Sequence, residues 1–138
     1  MKKKIIAFTF LIFTFNAKSN EYLKYHSYVI LAQNSIIDNQ LDTALLKYKI
    51  AFKLVEKGFP KDFLNAASLC YELDSLNLMK KYISSAINNG GYYRFIYKRF
   101  KKKIHEKDFW RNISLRFDEI NKEKNNNINF IKVKSVLI

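Results

Sequence analysis

The chain holds three glycines and one proline, and they fall in two places, Gly58 with Pro60 and Gly90 with Gly91. These two breaks, around 57–61 and 88–91, set what the rest can become. Between them apolar residues recur in steps of three and four, and the alternation of a half-buried strand is missing. Tyr22, Tyr25, Val29, Ala32 and Ile36 line up as one helical stripe over 20–38. "DNQ" at 38–40 interrupts it, with Asp38 and Asn39 able to supply the left-handed backbone of a tight turn. A second helix is expected from about 41 to 57, stopped by Gly58 with Pro60 beyond it.

Sliding the chain by thirty-five residues makes it echo itself. Tyr28 meets Phe63, Leu31 meets Ala66, Ala32 meets Ala67 and Ser35 meets Cys70. Leu41 then meets Leu76, Ala44 meets Met79, Tyr48 meets Ile83 and Ala51 meets Ala86. Large residues anchor the first helix of each unit, and small ones sit where two helices must approach closely. Lys98, Lys101 and Lys102 occupy the apolar positions one step further on, so a third unit of this kind is not expected.

This pattern resembles the tetratricopeptide repeat, a helix-turn-helix unit of about 34 residues. Tyr28, Leu31 and Ala32 match the family's first helix, while Ser35 departs from it; Ala44, Tyr48 and Ala51 match the second. In the second unit Phe63, Ala67, Ile83 and Ala86 agree, Ala66 and Met79 depart, and the closing proline is missing from both. The resemblance implies an all-α fold, a short solenoid of two hairpins over about 25–59 and 60–94. A basic helical cap over about 92–123 would close it, because such arrays need a polar outer face on the last element. It also implies a concave groove lined by the first helices of the two units. At matching positions that groove would present His26, Val29, Gln33 and Ile36, then Lys61, Leu64, Ser68 and Tyr71, to a peptide or protein partner.

The beginning of the chain carries a different signal. Lys2, Lys3 and Lys4 precede the apolar run Ile5–Phe15, and small residues follow at Ala17 and Ser19. A basic head, a short apolar run and an A-x-S pair form the pattern of a secretory signal peptide. The run falls short of the roughly 20 residues a membrane-spanning helix needs. Export to the periplasm or outside the cell is expected, with residues 1–19 removed after Ser19. The net charge of +13 would then fall to +9, with 21 Lys and Arg against 12 acids. About 120 residues suit one modest core, and Cys70, the single cysteine, is expected inside it as a small apolar residue.

The excess charge is concentrated. Arg94, Lys98, Arg99, Lys101, Lys102, Lys103, Lys107 and Arg111 face only Glu106 and Asp108 in that stretch, a local balance of +6. Tyr93, Ile96 or Tyr97, Phe100 and Ile104 follow helical steps and predict one buried face. Asp108 is expected to cap a last helix over about 109–123, whose stripe of Trp110, Ile113, Phe117 and Ile120 closes the second hairpin. Lysines among rings can bind nucleic acid, but export and the burial of those rings argue against it. A solvated cationic face that serves solubility is the plain reading, and among partners an anionic envelope surface, a lipid headgroup or an acidic protein patch fits the eight cations better. The asparagines at 125–127 read as a loop, and residues 128–138, part of a tail over 124–138, are rich in β-branched residues that partly alternate as in a strand; a lone strand has no partner, so a docking tail, a disordered end or another helical turn stays open.

Catalytic chemistry has little to stand on. His26 and His105 are the only histidines, and neither has ligands at metal spacing. Gly90–Gly91 lacks the Lys–Ser/Thr that a phosphate loop requires. The sequence predicts a binding protein with no metal, no cofactor and no enzymatic activity.

Overall fold

The computed structural model describes residues 2–136, with side chains over 20–127. Six helices and no strand occur among them: α1 Lys2–Ile37, α2 Leu41–Leu54, α3 Pro60–Glu72, α4 Leu76–Asn88, α5 Tyr93–Phe100 and α6 Lys107–Val136. The fold is all-α, assembled from neighbouring helices that pack as hairpins. Two compact units divide the chain, Met1–Gly58 and Phe59–Ile138. The expected export signal and its cleavage point fall in 1–19, whose side chains lie outside the described ones. Its backbone from Lys2 onward belongs to α1, which meets no glycine or proline before Ile37. Among the described residues no helix is long and apolar enough to cross a membrane.

The first unit is the α1–α2 hairpin. Tyr25 and Ala32 from α1 and Ala44, Tyr48 and Ala51 from α2 are fully buried, and Val29 and Leu45 nearly so. The three alanines let the helix axes approach, and the rings fill what remains. Phe52 stacks on Tyr48 with centroids 5.8 Å apart and lies 6.4 Å from Tyr25. Helix α2 ends three residues earlier than its apolar spacing suggests. Val55 turns extended (φ −133°, ψ 143°) and is itself buried, a conformation that suits its branched side chain. The Tyr22 hydroxyl then donates to the Lys57 carbonyl at 3.0 Å and ties the segment back to α1.

The second unit opens on the α3–α4 hairpin. Pro60 occupies the first turn of α3, where its missing N–H leaves no bond unmade. Phe63, Ala66, Ala67 and Cys70 from α3 bury against Met79, Ile83, Ala86 and Ile87 from α4. The Cys70 side chain has no exposed surface, as its apolar neighbours predicted.

The two hairpin turns repeat bond for bond at the thirty-five-residue spacing. Gln40 N–H donates to the Ser35 carbonyl at 2.8 Å, and Ser75 N–H to the Cys70 carbonyl at 2.8 Å. Asn39 (φ 55°) and Asp74 (φ 51°) take the left-handed conformation between them. That is the Schellman stop, in which the residue two past the C-cap closes on a carbonyl five back. Asn and Asp adopt it with least strain after glycine. Helix α4 ends the same way, with Gly90 (φ 93°) left-handed and Gly91 N–H donating to the Ala86 carbonyl at 2.8 Å.

Beyond Gly91 the chain makes α5, a short connection over 101–106 and α6, which packs on α4 and α5. Ile96, Phe100, Ile104, Trp110 and Ile113 are the buried anchors. Two expectations about this region need correction. Helix α6 begins at Lys107 rather than after Asp108. Glu106 stands at its head, its carbonyl accepting from Trp110 N–H at 3.4 Å and its carboxylate paired with Lys80. The loop expected at 125–127 is absent too, and of the readings open for the tail the helical one is what forms, since the backbone stays helical to Val136. An asparagine weakens a helix by only about 0.7 kcal/mol or less relative to alanine. No glycine or proline interrupts α6, and a lone strand would find no partner.

Candidate functional site

The concave feature of the second unit is built by α5, the connection after it and the first two turns of α6. Ile96 and Phe100 point inward from α5 with no exposed surface, which turns Tyr93, Tyr97 and Lys101 along its flank. The connection is held at both ends. Lys101 N–H donates to the Tyr97 carbonyl at 2.9 Å and Ile104 N–H to the Phe100 carbonyl at 3.1 Å. The Trp110 indole N–H donates to the Ile104 carbonyl at 2.8 Å, a buried bond that draws the connection onto α6.

A cleft of about 440 Å³ lies between these segments. Tyr93, Tyr97 and Trp110 wall it, with Ile104 and Ser114 beside them and His105, Lys101, Lys107 and Arg111 completing the lining. Tyr93 and Tyr97 stack at 5.8 Å, and Trp110 meets Tyr97 edge-on at 5.1 Å and 89°. Burial, then the neighbouring Tyr97 hydroxyl and the Asp118 carboxylate, push the Tyr93 phenol above its ordinary pKa, while a hydrogen bond with Ser114 opposes them. The phenol is therefore neutral near pH 7 and can donate.

The cleft lining carries Lys101, Lys107 and Arg111 and no acid, and two acids stand nearby. Asp108 pairs with Arg111 at 3.2 Å and Glu106 with Lys80. The Asp108–Arg111 pair is open to water and adds little stability, and Asp108 offsets part of the Arg111 charge. Lys101 lies 5.6 Å from the Tyr97 ring centroid, so that ring already has a cation on its face. A cationic ligand would compete with it; an anionic one would not.

The eight cations expected to act as one patch divide into three groups. Lys101, Lys107 and Arg111 line the cleft. Arg94, Lys98 and Lys102 are exposed outside it. Arg99 donates to the Ser68 hydroxyl at 3.0 Å, and Lys103 sits 4.0 Å from the Tyr71 ring centroid, so these two brace the α5 region against α3.

Of the peptide-groove residues, Val29 and Leu64 are 5% and 4% exposed and belong to the core, which removes them from any groove surface. Their positions fall on the sides of α1 and α3 that turn inward with Ala32 and Ala67. His26, Gln33 and Ile36 in the first unit and Lys61 and Tyr71 in the second are exposed, and Ser68 is half-buried.

Tyr93, Tyr97, Trp110, His105 and Ser114 join the site without having been singled out for it. The available signal was Tyr93–Tyr97 at i, i+4 directly after the double glycine, but the same rings also fit the buried stripe. Among the described residues no group of three or more His, Cys, Asp or Glu could hold a metal ion. Compared with protein-family models, curated proteins and solved structures, the chain matches none.

Proposed function

We propose that this is an exported, non-catalytic binding module whose α5–α6 cleft holds an anionic group of its partner. The scaffold is a pair of tetratricopeptide-like hairpins, a reading supported by the turn geometry that recurs at thirty-five residues. Export rests on the basic head and apolar run of residues 1–19. The observation that carries the anion reading is one cleft with rings for walls and Lys101, Lys107 and Arg111 in its lining. Rings exclude water from one side of a bound group, which strengthens its attraction to fixed cations. The peptide groove is the weaker reading, because two of its eight residues are core and two more are engaged by Arg99 and Lys103.

The test is a double charge reversal, Lys101→Glu with Arg111→Glu, both at exposed positions whose loss leaves the core intact. Binding of inorganic phosphate, measured by calorimetry at low salt, should weaken about tenfold or more, the equivalent of about 1.4 kcal/mol. Binding by the parent protein should also fall as salt rises, because exposed cations are screened. Equal affinity in parent and reversed protein would remove the cleft from consideration.

A further inference from the structure

We infer that the partner presenting the anion is a phospholipid bilayer, against which the outer face of α5 lies. The inference rests on the cleft reading and extends it to the exposed surface next door. On α5 and its approach, Tyr92 is 64% and Phe95 58% exposed, among the most open large apolar residues described. Arg94, Lys98 and Lys102 lie among them, also exposed, and no acid interrupts residues 92–103. Rings that enter the headgroup region, flanked by long cations that reach back to phosphates, are the means by which a short helix rests on an anionic membrane. The cleft is continuous with this face through Tyr93, Tyr97 and Lys101.

A bilayer is favoured over an acidic protein or a nucleic acid by what the face lacks. Residues 92–103 contain no Ser, Thr, Asn, Gln, Asp or Glu. The face therefore offers the charged donors of Lys and Arg, which suit phosphate oxygens, and no carboxamide or carboxylate to pair with a peptide unit or an adenine or cytosine edge. Cations beside exposed rings suit a field of negative charge over an apolar layer. The braces Arg99–Ser68 and Lys103–Tyr71 hold the segment to α3, so the face is presented ready-made rather than ordered on contact.

Sedimentation with vesicles tests this in the full chain, comparing phosphatidylglycerol mixed into phosphatidylcholine with phosphatidylcholine alone. The parent should prefer the anionic vesicles. Arg94→Gln with Lys98→Gln should weaken that binding about thirtyfold, on the scale of roughly 1 kcal/mol for each cation near a charged surface. Phe95→Ser should weaken it about tenfold. The apolar run at 5–15 is common to all variants, so differences between them report on α5. Circular dichroism of each variant should match the parent, because the altered side chains are exposed. Vesicle binding that ignores Phe95, or that polyglutamate matches with the same dependence on Phe95, overturns the bilayer. Should inorganic phosphate bind in a Lys101- and Arg111-dependent way while anionic vesicles are not preferred, the bilayer falls and the cleft stands.

Discussion

Replacing Trp110 with alanine is expected to lower the unfolding free energy by about 3–5 kcal/mol, the range for deleting a large buried aromatic. The indole is 7% exposed and fills the space between α6, the connection and Tyr97. Its N–H also satisfies the Ile104 carbonyl at 2.8 Å. Trp110→Phe separates the two effects. It keeps most of the packing and loses the bond, and should cost about 1–2 kcal/mol. Chemical denaturation of the three proteins gives the ranking directly. If alanine and phenylalanine proved equally mild, below about 1 kcal/mol, the indole could not be the tie that holds the connection to α6.

Gly91→Val is expected to cost about 3 kcal/mol or more, through overpacking and the breaking of a helix stop together. A side-chain carbon at Gly91 would stand 2.7 Å from the Ala86 carbonyl oxygen, 3.0 Å from its carbon and 2.9 Å from Ile96 Cδ1. Ile96 could shift; the Ala86 backbone cannot without losing the Gly91 N–H bond that ends α4. Gly90→Ala is the control. There the nearest foreign atom is the flexible Lys124 ammonium at 3.8 Å, so only the left-handed φ of 93° resists the methyl group. Its cost should be about 1–2 kcal/mol, that of placing an L-residue in this region. Thermal melts of both proteins, compared with the parent, should show the valine variant falling clearly further. Equal shifts would mean that the close approach at Gly91 is not a structural constraint.

How much of this could be seen in the residues alone depends on whether the signal was local. The turn at 38–40 was legible because Asp38 and Asn39 carry the chemistry of a left-handed residue in their own side chains. The pairing of helices was legible from the alanines, since Ala32, Ala44 and Ala51 leave room only where another helix comes close. Val55 was not legible, because its extended backbone is set by the cavity it fills and by Tyr22 reaching Lys57. The asparagines near the end of α6 misled for the opposite reason. They favour loops, but weakly, and the ladder on either side continues through them.

The cleft was half legible. Its cations stand out in the sequence, but helical steps allowed either Ile96 or Tyr97 to face inward. Packing decides between them. Ile96 takes the fully buried place, and Tyr97, 37% exposed, becomes a wall. A stripe on one helix says which residues are apolar, not which ring a neighbouring helix leaves uncovered. Val29 and Leu64 show the same limit, since matching a repeat position does not fix which way that position turns.

Trp110 is the sole tryptophan of the chain and a wall of the cleft, so its indole N–H reports on occupancy without any label chemistry. Nuclear magnetic resonance of that one proton during a titration with inorganic phosphate is therefore the most direct measurement. A saturable shift at low salt that disappears when Lys101 and Arg111 are both reversed to glutamate is the predicted result. A signal that stays still, or that moves identically in the reversed protein, would contradict the account.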